Sequence, residues 1–228
     1  MSSQGGSVGL GGTCSGNPAP EVVVVDSGVG NIPNAVRGLV RAGARVTLSE
    51  DADQVAAAPV VVLPGVGAFP AAMAELARRG LDEAVRAAAA AGSVVLGICL
   101  GHQLLFEESE EFGVTKGLGL LPGRVTPLPA GVRTPHMGWS RLQPQRPDPL
   151  LAGLDGAWMY FVHSFTAHPE PGDVVATADA GGAKVCALVR RGRICGAQFH
   201  PEKSGAAGAK LLANLLALAV ESQAGGVR

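Results

Sequence analysis

The stretch SVVLGICLGHQ, residues 93–103, decides how the rest of the chain is read. It starts as an unbroken apolar, β-branched run, the pattern of a strand buried on both faces of a sheet. The run passes directly into G-x-C-x-G, Gly97 to Gly101. That spacing is the cysteine form of the nucleophile elbow, a tight strand-to-helix turn that needs small neighbours and lifts its central residue above the sheet. Gly97 and Gly101 supply the room. Cys99 then stands where helix N–H groups and the helix dipole favour a thiolate, and Leu100 offers its backbone N–H to an oxyanion.

Upstream, the same pattern recurs. EVVVVD from Glu21 is too short and too β-branched for a helix, and it meets the glycines of DSGVGN. A helix is expected next, with Pro33 in its first turn, Gly43 beyond its end, and Val36, Leu39 and Val40 facing a sheet. ARVTLS and PVVVLP read as further strands, AAMAELARRG and LDEAVRAAAAAG as helices. Alternation of this kind predicts an α/β fold in three layers: a mostly parallel central sheet with helices on both faces. Beyond Gly113 the texture changes to GRVTPL, MGWSRL, WMYFVHSF, DVVATAD, KVCALVRR and GRICGAQFH, so antiparallel hairpins are expected beside the parallel core. In a closing helix, Leu211, Leu212, Leu215, Leu216 and Ala219 form one apolar stripe. The expected organisation is a Gly/Ser-rich disordered leader over 1–19, one domain over 20–223 and a short flexible tail over 224–228.

Composition narrows the function. The chain has 228 residues, a formal net charge of -1 and 16% charged residues, so it has no basic stripe with which to neutralise a nucleic-acid backbone. Prolines or polar residues break both long uncharged stretches, which argues against a membrane span. The leader lacks the basic and apolar regions of a secretory signal, so a cytoplasmic protein is expected. Cys14, Cys99, Cys186 and Cys195 contain no CxxC pair. Cys186 and Cys195 flank a turn and could face each other across a hairpin, although buried free thiols are the simpler expectation. No cofactor is expected either: the third glycine of a dinucleotide fingerprint would fall at Pro33, and no GK[ST] follows either glycine loop.

The cysteine needs a base, and QFHPEKSG supplies one in His200 with Glu202 two residues on, so that both side chains can point the same way across Pro201. A histidine held by a carboxylate keeps one tautomer, takes a proton from a nucleophile and returns it to a leaving group. His102 is a weaker candidate base, because no carboxylate lies where it would orient the ring. His136, His163 and His168 share that lack, and no third metal ligand joins the HxE pair. PGVG, Pro64 to Gly67, follows a strand at the end where α/β sheets gather ligands, and its N–H groups can form a second anion-binding wall.

GICLGHQ and QFHPE together resemble the signatures of the class I (triad) glutamine amidotransferases, whose fold is flavodoxin-like. Within that family, DSGVGN, PGVGAF, GICLGHQLLFEESEE, GLGLLPGRV, PHMGW, YFVHSF and FHPEKSG are similar, in this order, to the glutaminase subunits of imidazole glycerol phosphate synthase. The likeness runs from about residue 21 to about residue 219. Ser27 and Phe165 stand where tyrosine is usual, and His102 where methionine is frequent. The last change makes the elbow look like that of the anthranilate and guanylate branches, so an amidotransferase subunit of anthranilate or aminodeoxychorismate synthesis is the alternative; an inert subunit on the same fold is a third reading.

The resemblance implies a set of roles. Cys99 attacks the glutamine amide, His200 protonates the departing ammonia, and Glu202 orients His200. Leu100 and one N–H from Gly65, Val66 or Gly67 hold the oxyanion, while Gln103 and the backbone of His163, Ser164 and Phe165 grip the amino-acid end of glutamine. Lys203 resembles the family's interface lysine, and the glycine loop near Asn31 is independently compatible with a docking face. The implied partner is a (β/α)8-barrel cyclase that receives the ammonia.

Overall fold

The computed structural model describes residues 19–26, 28 and 31–224. In chain order these form β1 (Glu21–Val25), α1 (Ile32–Arg41), β2 (Arg45–Ser49), α2 (Ala52–Ala56), β3 (Val60–Gly65), α3 (Phe69–Arg78), α4 (Leu81–Ala90), β4 (Val94–Cys99) and α5 (Leu100–Leu104). The second half adds β5 (Phe106–Ser109), β6 (Thr115–Lys116), β7 (Leu121–Pro127), β8 (His136–Arg141), β9 (Gln143–Pro144), β10 (Trp158–His163) and β11 (Phe165–Pro169). It closes with β12 (Val174–Asp179), β13 (Lys184–Arg191), β14 (Ile194–Ala197) and α6 (Gly205–Ala224). The expected leader, apart from Ala19, lies outside the described residues, as do Ser27 and the tail beyond Ala224.

An eight-stranded sheet runs in the order β2-β1-β3-β4-β14-β13-β12-β9. Its first five strands are parallel, and β13, β12 and β9 continue it antiparallel. Side-chain alternation divides the core in two. Val60 and Val62 of β3 and Leu96 and Ile98 of β4 pack toward α1 and α6, whose Leu39, Leu211, Leu212, Leu215 and Leu216 belong to the same cluster. Val61, Leu63 and Val95 point the other way, onto Phe69, Met73 and Leu76 of α3 and Leu81 and Val85 of α4. Helices therefore cover both faces, giving the expected three layers.

Helix boundaries follow local chemistry. Asp51 caps α2 by accepting from the N–H groups of Asp53 and Gln54. Gly80, at φ 67°, makes the left-handed step between α3 and α4 that a residue with a Cβ takes only at a cost. Val40 departs from expectation, being 54% exposed. The stripe that α1 buries is Ile32, Ala35 and Leu39, which leaves Val40 turned toward solvent.

The antiparallel half is more divided than its sequence texture implies. β12, β13 and β14 do extend the main sheet, but β10 pairs with β8 in a separate ribbon, and β11-β7-β5-β6 form a third sheet. WMYFVHSF, read as one run, breaks at Ser164: Phe161 pairs with Gly138 before the break, and Phe165 with Pro127 after it. Cys186 lies opposite Thr177, and Cys195 opposite Arg190, so the two thiols do not face each other across the hairpin. Both are free, and burial pushes each thiol up to about 12.

Candidate active site

Cys99 ends β4 and begins α5 at φ 56° and ψ -108°, a backbone conformation that residues bearing a Cβ rarely adopt. Close packing of backbone on backbone holds it there. A Cβ at residue 97 would stand 2.4 Å from the carbonyl oxygen of Gly101, and one at residue 101 would stand 1.8 Å from that of Leu63. Gly65, registered against Cys99 in the sheet, is likewise closed by the N–H of Gly101 at 3.0 Å. The elbow glycines are therefore steric requirements that let α5 start directly against β3 and β4.

His200 follows β14, the strand inserted beside β4, which brings the two halves of the site together. Its Nδ1 is 2.8 Å from Glu202 Oε1, and the side chains of both residues are almost fully buried. The turn between them is fixed from several sides. Pro201–Lys203 forms a single 3-10 turn, the Ser204 hydroxyl donates to the His200 carbonyl at 2.7 Å, and the His200 N–H donates to Tyr160 of β10. Gly208 lets α6 lie directly on that turn, since a Cβ there would stand 1.9 Å from the carbonyl oxygen of Pro201.

Burial acts against a charged His200, but its interactions with Cys99 and Glu202 outweigh that effect and push the imidazole up to about 9. With Nδ1 committed to Glu202, the buried Nε2 has no hydrogen-bond partner and is the nitrogen left for proton exchange. Cys99 Sγ lies 3.7 Å from the carbonyl oxygen of Val162. A thiol, an imidazole and a buried carboxylate are thus brought together from β4 and the turn after β14, an arrangement that suits nucleophilic catalysis.

A pocket of about 530 Å³ opens over Cys99. Of the expected residues, Val66, Gly67, Leu100, Gln103, His163, Ser164, Phe165 and His200 line it together with Cys99. Gly65 and Glu202 lie behind, on a crevice of about 10 Å³ that Asn31 also lines. Lys203 borders neither cavity; its Nζ sits 5.8 Å from the centre of the Tyr160 ring. Gln103 spends both amide hydrogens, on the Phe165 carbonyl at 3.2 Å and on Gln198 Oε1 at 3.0 Å, leaving its oxygen for a ligand.

His102 is not placed to act as a base. It is fully buried, packed edge-on against Phe106, with neither ring nitrogen bonded, and burial lowers it to about 3. His168 bonds the Thr126 hydroxyl away from the site. Among the described residues no group of three or more His, Cys, Asp and Glu is arranged to hold a metal, and no helix is long and apolar enough to cross a membrane.

Two features of the site escaped the sequence reading. Glu111 lines the pocket nine-tenths buried, its Oε2 accepting from the Phe69 N–H at 2.7 Å. It lies within the quoted GICLGHQLLFEESEE block, but nothing in that acidic run separates a pocket residue from a solvated one. The second feature is an exposed aromatic surface on the β8–β10 ribbon, where Met137, Trp139 and Trp158 are each more than half exposed. Strict alternation in MGWSR was its available signal.

Comparison with known proteins agrees with this geometry. A family model described as glutamine amidotransferase class-I matches residues 23–218. The imidazole glycerol phosphate synthase subunit HisH of Symbiobacterium thermophilum is 49% identical over 194 residues, covering 85% of this chain and 92% of that protein. The corresponding subunit of Geobacillus kaustophilus is 46% identical, covering 86% and 96%. Among solved structures, one described as a glutamine amidotransferase superposes with a TM-score of 0.70 at 22% identity, covering 87% of this chain and 98% of its own. PurLQS from Thermotoga maritima gives 0.71 at 22%, covering 88% and 99%, and at that identity both show the fold alone. With matches of this length on both family model and relatives, the chain belongs to the class-I glutamine amidotransferases, among the HisH subunits of imidazole glycerol phosphate synthase.

Proposed function

We propose that this chain is the glutaminase subunit of an imidazole glycerol phosphate synthase, hydrolysing glutamine to glutamate and ammonia for histidine biosynthesis. The observation that carries the chemistry is the strained Cys99 lining one pocket with a histidine whose Nδ1 is held by a buried carboxylate. Cys99 Sγ attacks the side-chain amide carbon of glutamine while the N–H of Leu100 and one from Gly65 to Gly67 hold the oxyanion. Losing one such donor costs about 10² to 10³ in rate. His200 Nε2 carries the thiol proton to the amide nitrogen, ammonia leaves, and a thioester remains. Water, deprotonated by the same nitrogen, then releases glutamate.

Substrate orientation follows from the pocket lining. Gln103 Oε1 and the Glu111 carboxylate both present acceptors, which suits an α-ammonium group, and the backbone from His163 to Phe165 borders the same space. Ammonia set free in neutral water becomes ammonium and loses its nucleophilicity, so a synthase needs a shielded path to a second subunit. The partner is a (β/α)8-barrel cyclase that joins ammonia to a ribonucleotide. Asn31 on the crevice behind the triad, Lys203 beside Tyr160, and the exposed Met137, Trp139 and Trp158 favour docking on that side. A heteromeric enzyme in the cytoplasm fits this reading.

The test is glutamate release by the purified chain, alone and with a histidine-pathway cyclase plus its ribonucleotide ligand. Strong stimulation only in the second mixture is expected. Stimulation by a chorismate-using subunit instead would overturn the pathway, and failure of a glutamine-analogue affinity label to place its adduct on Cys99 would overturn the mechanism.

A further inference from the structure

Beside the triad, two histidines outside it form a continuous hydrogen-bonded chain. His136 of β8 and His163 of β10 are directly paired across the ribbon, and His136 Nδ1 lies 2.8 Å from His163 Nε2. At one end His163 Nδ1 meets the carbonyl oxygen of Phe165 at 2.8 Å. At the other, His136 Nε2 lies 3.0 Å from the Ser140 hydroxyl, which is itself 3.0 Å from the carbonyl oxygen of Asp179. Gly138, at φ 140°, stands between His136 and Ser140.

Counting protons constrains this chain. Four contacts link the two carbonyl oxygens, but two neutral imidazoles and one hydroxyl carry only three hydrogens. Burial lowers both histidines, His163 to about 4, which keeps one proton on each ring near neutral pH. One contact must therefore do without a hydrogen. At the Phe165 end, between the rings, or between His136 Nε2 and the Ser140 oxygen, this would set two lone pairs against each other at 2.8 to 3.0 Å in a part-buried space. Asp179 is exposed, so its carbonyl can take a hydrogen from water instead. The least costly arrangement sends the Ser140 proton to His136 Nε2, the His136 Nδ1 proton to His163 Nε2, and the His163 Nδ1 proton to Phe165.

We propose that Ser140 and His136 are positioning residues for glutamine: the hydroxyl sets the tautomer of His136, which sets His163 as the donor that pins the Phe165 carbonyl. That carbonyl also accepts from Gln103, so the relay and the substrate-facing glutamine meet on one oxygen. His163, Ser164 and Phe165 border the pocket, whereas Ser140 does not. The inference deepens the glutaminase reading and rests on it for its kinetic consequence.

The experiment uses the full chain with its five histidines labelled with nitrogen-15, as wild type, Ser140→Ala and Ser140→Thr. Long-range nitrogen–proton spectra report each ring's tautomer, and glutaminase assays with the partner report KM and kcat. In the wild type His163 is expected as the Nδ1–H form. In Ser140→Ala a population with the proton on Nε2 is expected, with KM for glutamine raised about fivefold, the size of one net hydrogen bond, and kcat within about twofold. Ser140→Thr restores both. An unchanged His163 tautomer in Ser140→Ala, or an unchanged KM, overturns the proposal. A wild type without glutaminase activity would count against the functional reading instead, while the spectra still decide the relay.

Discussion

Gly101→Ala sets helix propensity against space. The residue lies in α5, where alanine is favoured over glycine by about 1 kcal/mol, so propensity alone would raise Tm by about 2 to 4 °C for a chain of this size. Space argues the reverse. The new Cβ would stand 1.8 Å from the carbonyl oxygen of Leu63 and 2.9 Å from its carbon. Carbon and oxygen settle no closer than about 3.3 Å, so elbow and strand must separate by about 1.5 Å. Neither side has a flexible end to move, since both contacts are backbone in the centre of the sheet. Overpacking of this kind costs about 1 to 3 kcal/mol, which lowers Tm by about 2 to 12 °C. The displacement falls two residues from Cys99, and a misplacement of about 1 Å costs roughly 10² in rate. Scanning calorimetry and partner-stimulated glutamate release measure the two effects. A variant with raised Tm and kcat within twofold of the wild type would refute the claim that backbone contact, rather than chain flexibility, explains the glycine.

Further predictions concern protons. His200 is raised to about 9, so kcat/KM is expected to hold through neutral pH and fall as pH passes about 9, where the proton owed to ammonia is lost; in Glu202→Gln that alkaline limb moves to lower pH, as a pH–rate profile would record. The same shift makes the His200 contribution to stability fully present below pH about 6.5 and lost as pH rises through about 9, measured by denaturant unfolding across that range. His102 and His163 act oppositely: lowered by burial to about 3 and about 4, they stay neutral while the unfolded chain takes up protons, so stability falls as pH drops below about 6.5. His102→Met removes two unbonded buried nitrogens at similar volume and is expected to stabilise by about 1 to 3 kcal/mol and flatten that acid limb. Equal Tm in wild type and variant at pH 5 would contradict it.

Much of this was legible because certain chemistries leave local marks. A nucleophile elbow cannot form without small residues at fixed offsets, so Gly97, Cys99 and Gly101 announced the turn, and the two-residue spacing of His200 and Glu202 in HPE let their side chains meet. Alternating strands and helices gave the layered sheet for the same reason: period and breaker residues are local. What failed was whatever depends on the third dimension. Val40 matched the helical stripe but lies one step round from the face that packs. WMYFVHSF keeps its apolar texture through Ser164 although its strand partner changes there. Glu111 looks like its acidic neighbours, and only the N–H of Phe69, 42 residues earlier, makes it a pocket residue. His136 and Ser140 carry no spacing signal toward His163, because their contact runs across a ribbon.

The position of β14 has a consequence during synthesis on the ribosome. Among the described residues it is the last strand made, yet it occupies the middle of the sheet, between β4 and β13. Cys99 emerges about a hundred residues before His200 and Glu202, and through most of that interval the edge of β4 has no neighbour, since β13 is made only just before β14. Chains that stop before β14 therefore lack His200 and Glu202, and the open edge of β4 exposes them to chaperones and proteases. The order of the strands thus delays the meeting of Cys99 with His200 and Glu202 until β14 and the turn after it have been made.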